Sequence, residues 1–147
     1  MNNIKSIMFV CLGNICRSPL AEAIARNKIS KLNLDIKVAS SGTAGYHQGE
    51  KACNQSIDIA DKNNIDLSKH RAKKFTLKDI KQYDLFIALD KSNYNDLKKL
   101  NVENIKILGD FGFDGKGVPD PYYTQNIEVV FDMIERCINN LLAEINL

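Results

Sequence analysis

The sequence carries little net charge, no long apolar run and few cysteines. With 20 basic and 18 acidic side chains among 147 residues, its formal net charge is +2, which does not suggest a nucleic-acid-binding protein. The apolar segment Ile7 to Leu12 is too short for a secretion signal or a membrane span, and it ends at Gly13. We therefore expect a cytoplasmic protein that binds neither nucleic acid nor a membrane.

The four cysteines are Cys11, Cys16, Cys53 and Cys137. In a reducing compartment, reactive or buried thiols are more typical than a disulfide framework. The step of five residues from Cys11 to Cys16 is not zinc-ligand spacing. Cys53 and Cys137 fall in predicted helices and are interpreted as buried small apolar residues. The sequence therefore predicts no metal site and no other cofactor.

Apolar runs alternate with helical periodicity along the chain, which predicts one α/β domain over residues 1–147. Strands are predicted at 4–10, 36–39, 85–89 and 105–108, and helices from 18 onward and over 52–62, 90–100 and 127–145. Strands that alternate with helices form parallel sheets covered on both sides. We therefore expect a four-stranded parallel sheet with helices on both faces.

The segment VCLGNICRSP, residues 10–19, has the composition of a phosphate-binding loop. It follows a buried strand and opens a helix, which is where ligands bind in open α/β sheets. Backbone N–H groups at a helix N-terminus, together with the helix dipole, bind a tetrahedral dianion and stabilise a thiolate. Cys11 is therefore the candidate nucleophile. Arg17 is the candidate clamp, because its planar guanidinium can hold two phosphoryl oxygens at once.

Three other residues of the segment suit the same task. Gly13 permits a tight turn and close approach of the backbone, and Asn14 tolerates a left-handed conformation while its side chain ties the loop together. The Ser18 hydroxyl can donate to a thiolate. A Cys-x5-Arg pattern alone also arises by chance, so its position after a strand is what favours catalysis. The lysine-bearing nucleotide loop is excluded because no Gly-Lys-Ser/Thr follows.

This block resembles the signature of the low-molecular-weight protein tyrosine phosphatases, and chain length and element order match throughout. The resemblance implies hydrolysis of phosphotyrosine through a phosphocysteine, with Cys11 as nucleophile, Arg17 as clamp, and Asn14 and Ser18 as loop-ordering and thiolate-stabilising residues. It also implies that Cys16 forms a reversible disulfide with Cys11. Phosphotyrosine-bearing proteins, such as a tyrosine kinase, would be the partners, and inorganic phosphate would be product and inhibitor.

Further matches to the family imply the general acid and the pocket walls. Asp120 lies between two prolines in VPDPYY, which restricts its backbone, and this segment resembles the family's acid loop. Asp120 would protonate the leaving phenolate and then activate water. Tyr122 and Tyr46 would line a slot for the aromatic ring, completed by Leu12 and Ile15. The expected substrate-binding residues are Leu12, Gly13, Asn14, Ile15, Cys16, Ser18, Tyr46 and Tyr122.

Supporting roles are implied for three more residues. Ser40 matches a family serine that bonds to the loop asparagine, and His70 resembles a histidine that buttresses it. Asp90, at the end of the third predicted strand, resembles an aspartate that fixes the loop. The chain departs from the family at Lys73 and Lys74, where the family often has an arginine.

Three other functions fit the sequence less well. An arsenate reductase of the same fold needs a resolving pair of cysteines near the third strand, and 83–92 contains none. A protein-arginine phosphatase of the family tends to carry threonine where this chain has Ile15, which suits a phenyl ring better. A phosphopeptide-binding module would keep Arg17 but would need neither Cys11 nor Asp120. The sequence therefore favours a protein-tyrosine phosphatase.

Overall fold

The computed structural model describes residues 3–124 and 126–146 as one α/β unit. Its strands are β1 Ser6–Cys11, β2 Lys37–Gly42, β3 Leu85–Ala88 and β4 Ile105–Ile107. Its α-helices are α1 Arg17–Lys31, α2 Asn54–Lys62, α3 Asp79–Gln82, α4 Lys91–Lys99 and α5 Ile127–Ile145, and a 3₁₀ turn covers Leu108–Asp110. No helix within these described residues is long and apolar enough to cross a membrane.

The strands form one sheet in the order β2-β1-β3-β4, and every neighbouring pair is parallel. The four-stranded parallel sheet predicted from the sequence is therefore confirmed. All six residues of β1 are buried, as expected for a central strand covered on both faces. β1 and β2 end side by side, with Cys11 opposite Gly42, so the phosphate-binding segment emerges at the carboxyl edge of the sheet.

Two apolar cores cover the two faces of the sheet, which confirms helices on both sides. Because side chains alternate along a strand, Ile7 and Phe9 of β1 pack with α1, α2 and α5, while Met8 and Val10 face the opposite core. The smaller core, which Met8 and Val10 face, includes Leu97 of α4, and the Leu97 side chain is fully buried. The larger core fixes the start of α1, the helix on which Arg17 lies.

The structure differs from the predicted elements mainly at their ends. β1 runs to Cys11 rather than stopping at residue 10, because the parallel pairing with β2 continues to Gly42. Asp90 and Leu100 cap α4 instead of lying inside it. The four-residue helix α3 was not predicted, since so short a helix shows no periodic apolar face. The sequence also indicates a long loop over 109–125 between the last strand and the last helix; in the structure this segment begins in the 3₁₀ turn, and Gln125 lies outside the described residues.

Candidate active site

The loop from Cys11 to Arg17 directs its backbone N–H groups toward its own centre. Its carbonyl oxygens are bound from outside: Thr43 N–H donates to Cys11 O at 2.9 Å, and Ala44 N–H to Leu12 O at 2.9 Å. Since the C=O and N–H of a trans peptide point in opposite directions, each outward carbonyl turns the next residue's N–H inward. These two contacts therefore aim the amides of Leu12 and Gly13 into the loop.

The second half of the loop is held in the same way. His70 Nε2 donates to Asn14 O at 2.8 Å, Cys53 N–H to Ile15 O at 2.7 Å, and Ser56 Oγ to Cys16 O at 2.9 Å. The amides that follow these carbonyls, on residues 15, 16 and 17, are thereby turned inward as well. Five amides at the N-terminus of α1 form a ready anion-binding cradle.

Asn14 is the structural centre of the loop. It is fully buried and adopts a left-handed conformation with φ of 58°, as the sequence predicts for an asparagine at a sharp turn. Its Nδ2 donates to Ser18 Oγ at 2.8 Å and to Ser40 Oγ at 3.0 Å, while Oδ1 accepts from Lys73 N–H at 3.0 Å. The structure therefore places Ser40 and His70 on Asn14, where the resemblance implied them.

The Cys11 sulfur lies at the floor of the cradle, and the residue is 3% exposed. Ser18 Oγ is 2.9 Å from Cys11 Sγ, and Asn14 N–H donates to the same sulfur at 3.3 Å. Because Asn14 Nδ2 already donates to Ser18 Oγ, that oxygen acts as acceptor there, and its own hydrogen can point either at the sulfur, 2.9 Å away, or at the more distant Ser41 O at 3.4 Å. The arrangement stabilises negative charge on Cys11.

Arg17 is anchored at one end of its guanidinium and open at the other. The residue is 5% exposed, and its Nη1 donates to Asp90 Oδ2 at 2.6 Å and to Val118 O at 3.1 Å. Asp90 also caps α4 by accepting from Asn93 N–H at 2.8 Å, so its own position is fixed. The anchored Nη1 leaves the Nη2–Nε edge of Arg17 to bind two oxygens of a phosphoryl group.

Asp120 reaches the site from the loop after β4. Its Oδ2 lies 3.9 Å from Arg17 Nη2, and its Oδ1 accepts from Tyr122 N–H at 3.0 Å. The backbone carbonyl of Asp120 accepts from Tyr123 N–H at 2.9 Å, which closes a compact turn. One carboxylate oxygen is therefore engaged in holding the loop, and the other faces the phosphate cradle.

An apolar-walled pocket of about 320 Å³ opens above Cys11. Leu12 and Ile15 line it from the phosphate loop, and Tyr46, Tyr122 and Tyr123 form its mouth. Tyr122 and Tyr123 pack edge to face with ring centroids 5.0 Å apart, and all three tyrosines are highly exposed. A pocket with a dianion cradle at the bottom and aromatic rings at the rim suits a phosphorylated aromatic group.

Some residues of the site were not predicted from the sequence. Glu22 lies beneath the loop, where its Oε1 accepts from Ser40 Oγ at 2.6 Å and its other oxygen pairs with Arg26. The spacing of Glu22 and Arg26 predicts an ion pair along the helix, but nothing in the sequence predicts the hydrogen bond from Ser40 to Glu22. Gly42 is a second example: a Cβ there would lie 2.6 Å from Leu12 O, so only glycine lets β2 pass under the loop.

The structure contradicts two of the predictions about the cysteines. The structure joins Cys16 to Cys53 in a disulfide with Cα atoms 5.3 Å apart, and Cys11 is a free thiol. The prediction that Cys53 is a buried apolar residue is wrong, and the implied Cys11–Cys16 disulfide is not the pairing found. The reason is tertiary: Cys53, at the N-cap of α2, lies against the phosphate loop. Cys137 is buried as predicted, and desolvation raises its pKa to about 11.

Comparison with known proteins decides what this arrangement belongs to. The family model for the low molecular weight phosphotyrosine protein phosphatases matches residues 6–147. The chain belongs to this family. Cys11 and Arg17 fit the cysteine nucleophile and arginine clamp of a low-molecular-weight protein-tyrosine phosphatase.

Similar phosphatases extend over nearly the whole chain. The low molecular weight protein-tyrosine-phosphatase PtpA of Staphylococcus aureus is 39% identical over 141 residues, which cover 92% of this chain and 90% of the relative. The crystal structure of YfkJ from Bacillus subtilis superposes with a TM-score of 0.91 at 37% identity, covering 97% of this chain and 94% of that one. A low molecular weight protein tyrosine phosphatase from T. tengcongensis gives a TM-score of 0.89 at 29% identity, covering 96% and 99%. The protein is thus a protein-tyrosine phosphatase of this family.

Proposed function

We propose that this phosphatase hydrolyses phosphotyrosine in proteins through a phosphocysteine on Cys11, with Arg17 as clamp and Asp120 as general acid. The observation that carries the proposal is the pocket in which these three residues meet beneath a rim of tyrosines. We also infer that residues 1–147 act as one catalytic domain in the cytoplasm.

Substrate binding places the phosphoryl group in the cradle. Five inward amides and the N-terminus of α1 neutralise its charge, and the free edge of Arg17 holds two of its oxygens. Cys11 Sγ then lies beneath the phosphorus, in line with the ester oxygen that points up the pocket. Inorganic phosphate fits the same cradle, so the product would compete with substrate.

The first chemical step transfers the phosphoryl group to Cys11. The sulfur lone pair forms the S–P bond while the P–O bond to the tyrosine breaks, and charge builds on the departing oxygen. Asp120 Oδ2, on the pocket side, would give its proton to that oxygen. Arg17 and the cradle amides hold the equatorial oxygens through the transition state.

The second step hydrolyses the phosphocysteine. Asp120, now ionised, would take a proton from a water that attacks phosphorus from the side the phenol has left. The S–P bond breaks and leaves a thiolate, which Ser18 Oγ at 2.9 Å and the Asn14 N–H at 3.3 Å stabilise. These two donors make Cys11 a better leaving group than an isolated thiolate.

The pocket rim supports proteins with phosphotyrosine as the substrate class. Tyr46 and Tyr122 stand 77% and 81% exposed, so their rings are available to pack on an incoming aromatic ring and on the peptide around it. A serine phosphate is too short to reach both the cradle and these rings. Ile15 supplies apolar contact where a guanidinium group would need a polar partner.

A panel of otherwise identical peptides carrying phosphotyrosine, phosphoserine or phosphoarginine tests this substrate class. We expect kcat/KM for phosphotyrosine to exceed that for the other two by about a hundredfold or more, since the ring and the acid act together. Phosphate release measured at equal enzyme concentration gives the comparison. Equal rates for phosphoarginine and phosphotyrosine would contradict the proposed specificity.

Asp120→Asn tests the general acid. The variant should slow aryl phosphates with strongly basic leaving groups by about a hundredfold or more, and activated aryl phosphates much less, because good leaving groups need little protonation. The measurement is kcat over a series of aryl phosphates of graded leaving-group basicity.

Asp110→Asn and Asp114→Asn are the matched controls, since both residues lie in the same connection between β4 and α5. Neither should change the dependence on the leaving group. The assignment of Asp120 fails if good and poor leaving groups slow equally, or if either control reproduces its effect.

A further inference from the structure

Two sulfurs at the edge of the pocket take no part in the chemistry proposed above. Cys16 lies on the phosphate loop and Cys53 caps α2, and the structure bonds them to each other with a Cα separation of 5.3 Å, within the range usual for disulfides. Both residues line the pocket and are only partly buried. Small oxidants and reductants can therefore reach them from solvent.

We propose that Cys16 and Cys53 form a reversible redox pair that fixes the phosphate loop to α2 and withdraws Cys16 from reaction with Cys11. The pair is a modification site next to the nucleophile but separate from it. Its oxidant is a peroxide, and its reductant is a cellular or added thiol.

The backbone around the pair holds the two thiols together whether or not the disulfide is closed. Cys53 N–H donates to Ile15 O at 2.7 Å, and Ser56 Oγ donates to Cys16 O at 2.9 Å, so α2 is tied to the loop on both sides of the sulfurs. Cys53 Sγ lies 3.4 Å from Ser56 Oγ. A cysteine at a helix N-terminus is stabilised as thiolate, the form that attacks peroxides.

Closure proceeds in two balanced steps. One thiol ionises and its thiolate attacks a peroxide oxygen; the O–O bond breaks, the sulfur becomes a sulfenic acid, and the departing hydroxide takes up the thiol's proton to leave as water. The second thiol then attacks that sulfur, so that the S–S bond forms and the S–O bond breaks with loss of a second water. Overall, two thiols and one hydrogen peroxide give a disulfide and two waters. Thiol–disulfide exchange with an added dithiol reverses the reaction.

The pair changes what can happen to Cys11. A sulfenic acid on Cys11 is rescued if a neighbouring thiol condenses with it, and otherwise oxidises further to the irreversible sulfinic acid. Cys16 bonded to Cys53 cannot supply that thiol. A closed pair should therefore leave oxidised Cys11 without rescue from Cys16. This consequence rests on the proposed role of Cys11 as nucleophile, whereas the pairing itself does not.

Peptide mapping of the Cys11→Ser protein tests the pairing without reference to activity. Trypsin releases residues 6–17 and 52–62, which then hold Cys16 and Cys53 as their only cysteines. After mild peroxide we expect these peptides to be cross-linked, and dithiothreitol to separate them. Cys137 should stay reduced and serves as internal reference, because it is fully buried. Absence of this cross-link throughout a peroxide titration would overturn the proposal.

Thermal unfolding tests closure of the pair by a second route. The bond spans a sequence separation of 37 residues. Closing a loop of that size should raise the Tm of the Cys11→Ser protein by about 5–10 °C, through the lower entropy of the unfolded chain. The shift should persist in Cys11→Ser/Cys137→Ala and vanish in Cys11→Ser/Cys53→Ser. A Tm that does not respond to peroxide would contradict closure of the Cys16–Cys53 bond.

Recovery from oxidation tests the withdrawal of Cys16. Mild peroxide first closes the pair while inorganic phosphate shields Cys11. The phosphate is then removed, and the protein is treated with stronger peroxide and afterwards with dithiothreitol. Relative to its own untreated rate, the wild-type protein should regain about threefold less activity than Cys53→Ser, because only the variant keeps a free Cys16. Equal recovery overturns this part. If neither protein shows phosphatase activity, the proposed function fails while the cross-link result stands on its own.

Discussion

Cys11→Ser is expected to lower turnover of phosphotyrosine by about 10⁴-fold or more while the protein stays folded and binds oxyanions. A serine hydroxyl is a poor nucleophile at neutral pH, and a transition-state loss of that size corresponds to about 5.5 kcal/mol. The amide cradle and Arg17 do not depend on the sulfur, so phosphate or vanadate should still bind, as calorimetry can measure.

Cys137→Ser provides the matched control for that substitution. It makes the same chemical change at a buried cysteine that does not line the pocket, so it should affect stability but leave kcat near the wild-type value. Retention of more than about a hundredth of wild-type activity by Cys11→Ser would contradict the nucleophile assignment. Loss of oxyanion binding in the same variant would show that the sulfur also maintains the cradle.

Arg17→Lys should reduce kcat/KM by about a hundredfold or more. The guanidinium is held by Asp90 at 2.6 Å and Val118 O at 3.1 Å, which aims its remaining N–H groups at two phosphoryl oxygens. An ammonium offers a single point of charge and cannot keep both anchors and both oxygens. The variant should also leave Asp90 with a weaker partner, so we expect a loss of a few kcal/mol in the free energy of unfolding.

Arg26→Lys, on the same helix, is the control for the Arg17 substitution. Arg26 forms an ion pair with Glu22, and the Arg26 side chain is largely exposed. Replacing it with lysine should therefore alter kcat/KM less than about twofold. Steady-state kinetics and urea unfolding of both variants separate catalysis from stability. A decrease below about tenfold for Arg17→Lys would mean that the clamp lies elsewhere.

How far the sequence predicts this site depends on how local each contact is. Cys11, Asn14, Ser18 and Arg17 lie within one strand–loop–helix segment, and the chemistry of their types suffices to propose a phosphate cradle. The parallel sheet follows from the alternation of apolar runs with helices. These features need no knowledge of distant residues.

The parts that were missed depend on contacts between distant segments. Glu22 binds Ser40 across 18 residues, and Cys53 meets Cys16 across 37, and neither pairing leaves a periodic or compositional signal. The need for glycine at position 42 arises only because the phosphate loop lies directly above it. Asp120 could be singled out from the sequence because its two flanking prolines and the tyrosines that follow form a motif of their own.

The anchoring of Arg17 ties catalysis to the completion of folding. Its bond to Asp90 joins residues 73 positions apart, and its bond to Val118 joins residues 101 positions apart. Contacts of such separation close late, since a long stretch of chain must be ordered before they form. The helices of this protein can therefore appear during refolding before the arginine is in place. Phosphatase activity would then be the last property to return, and a sensitive reporter of chains that are compact but not yet native.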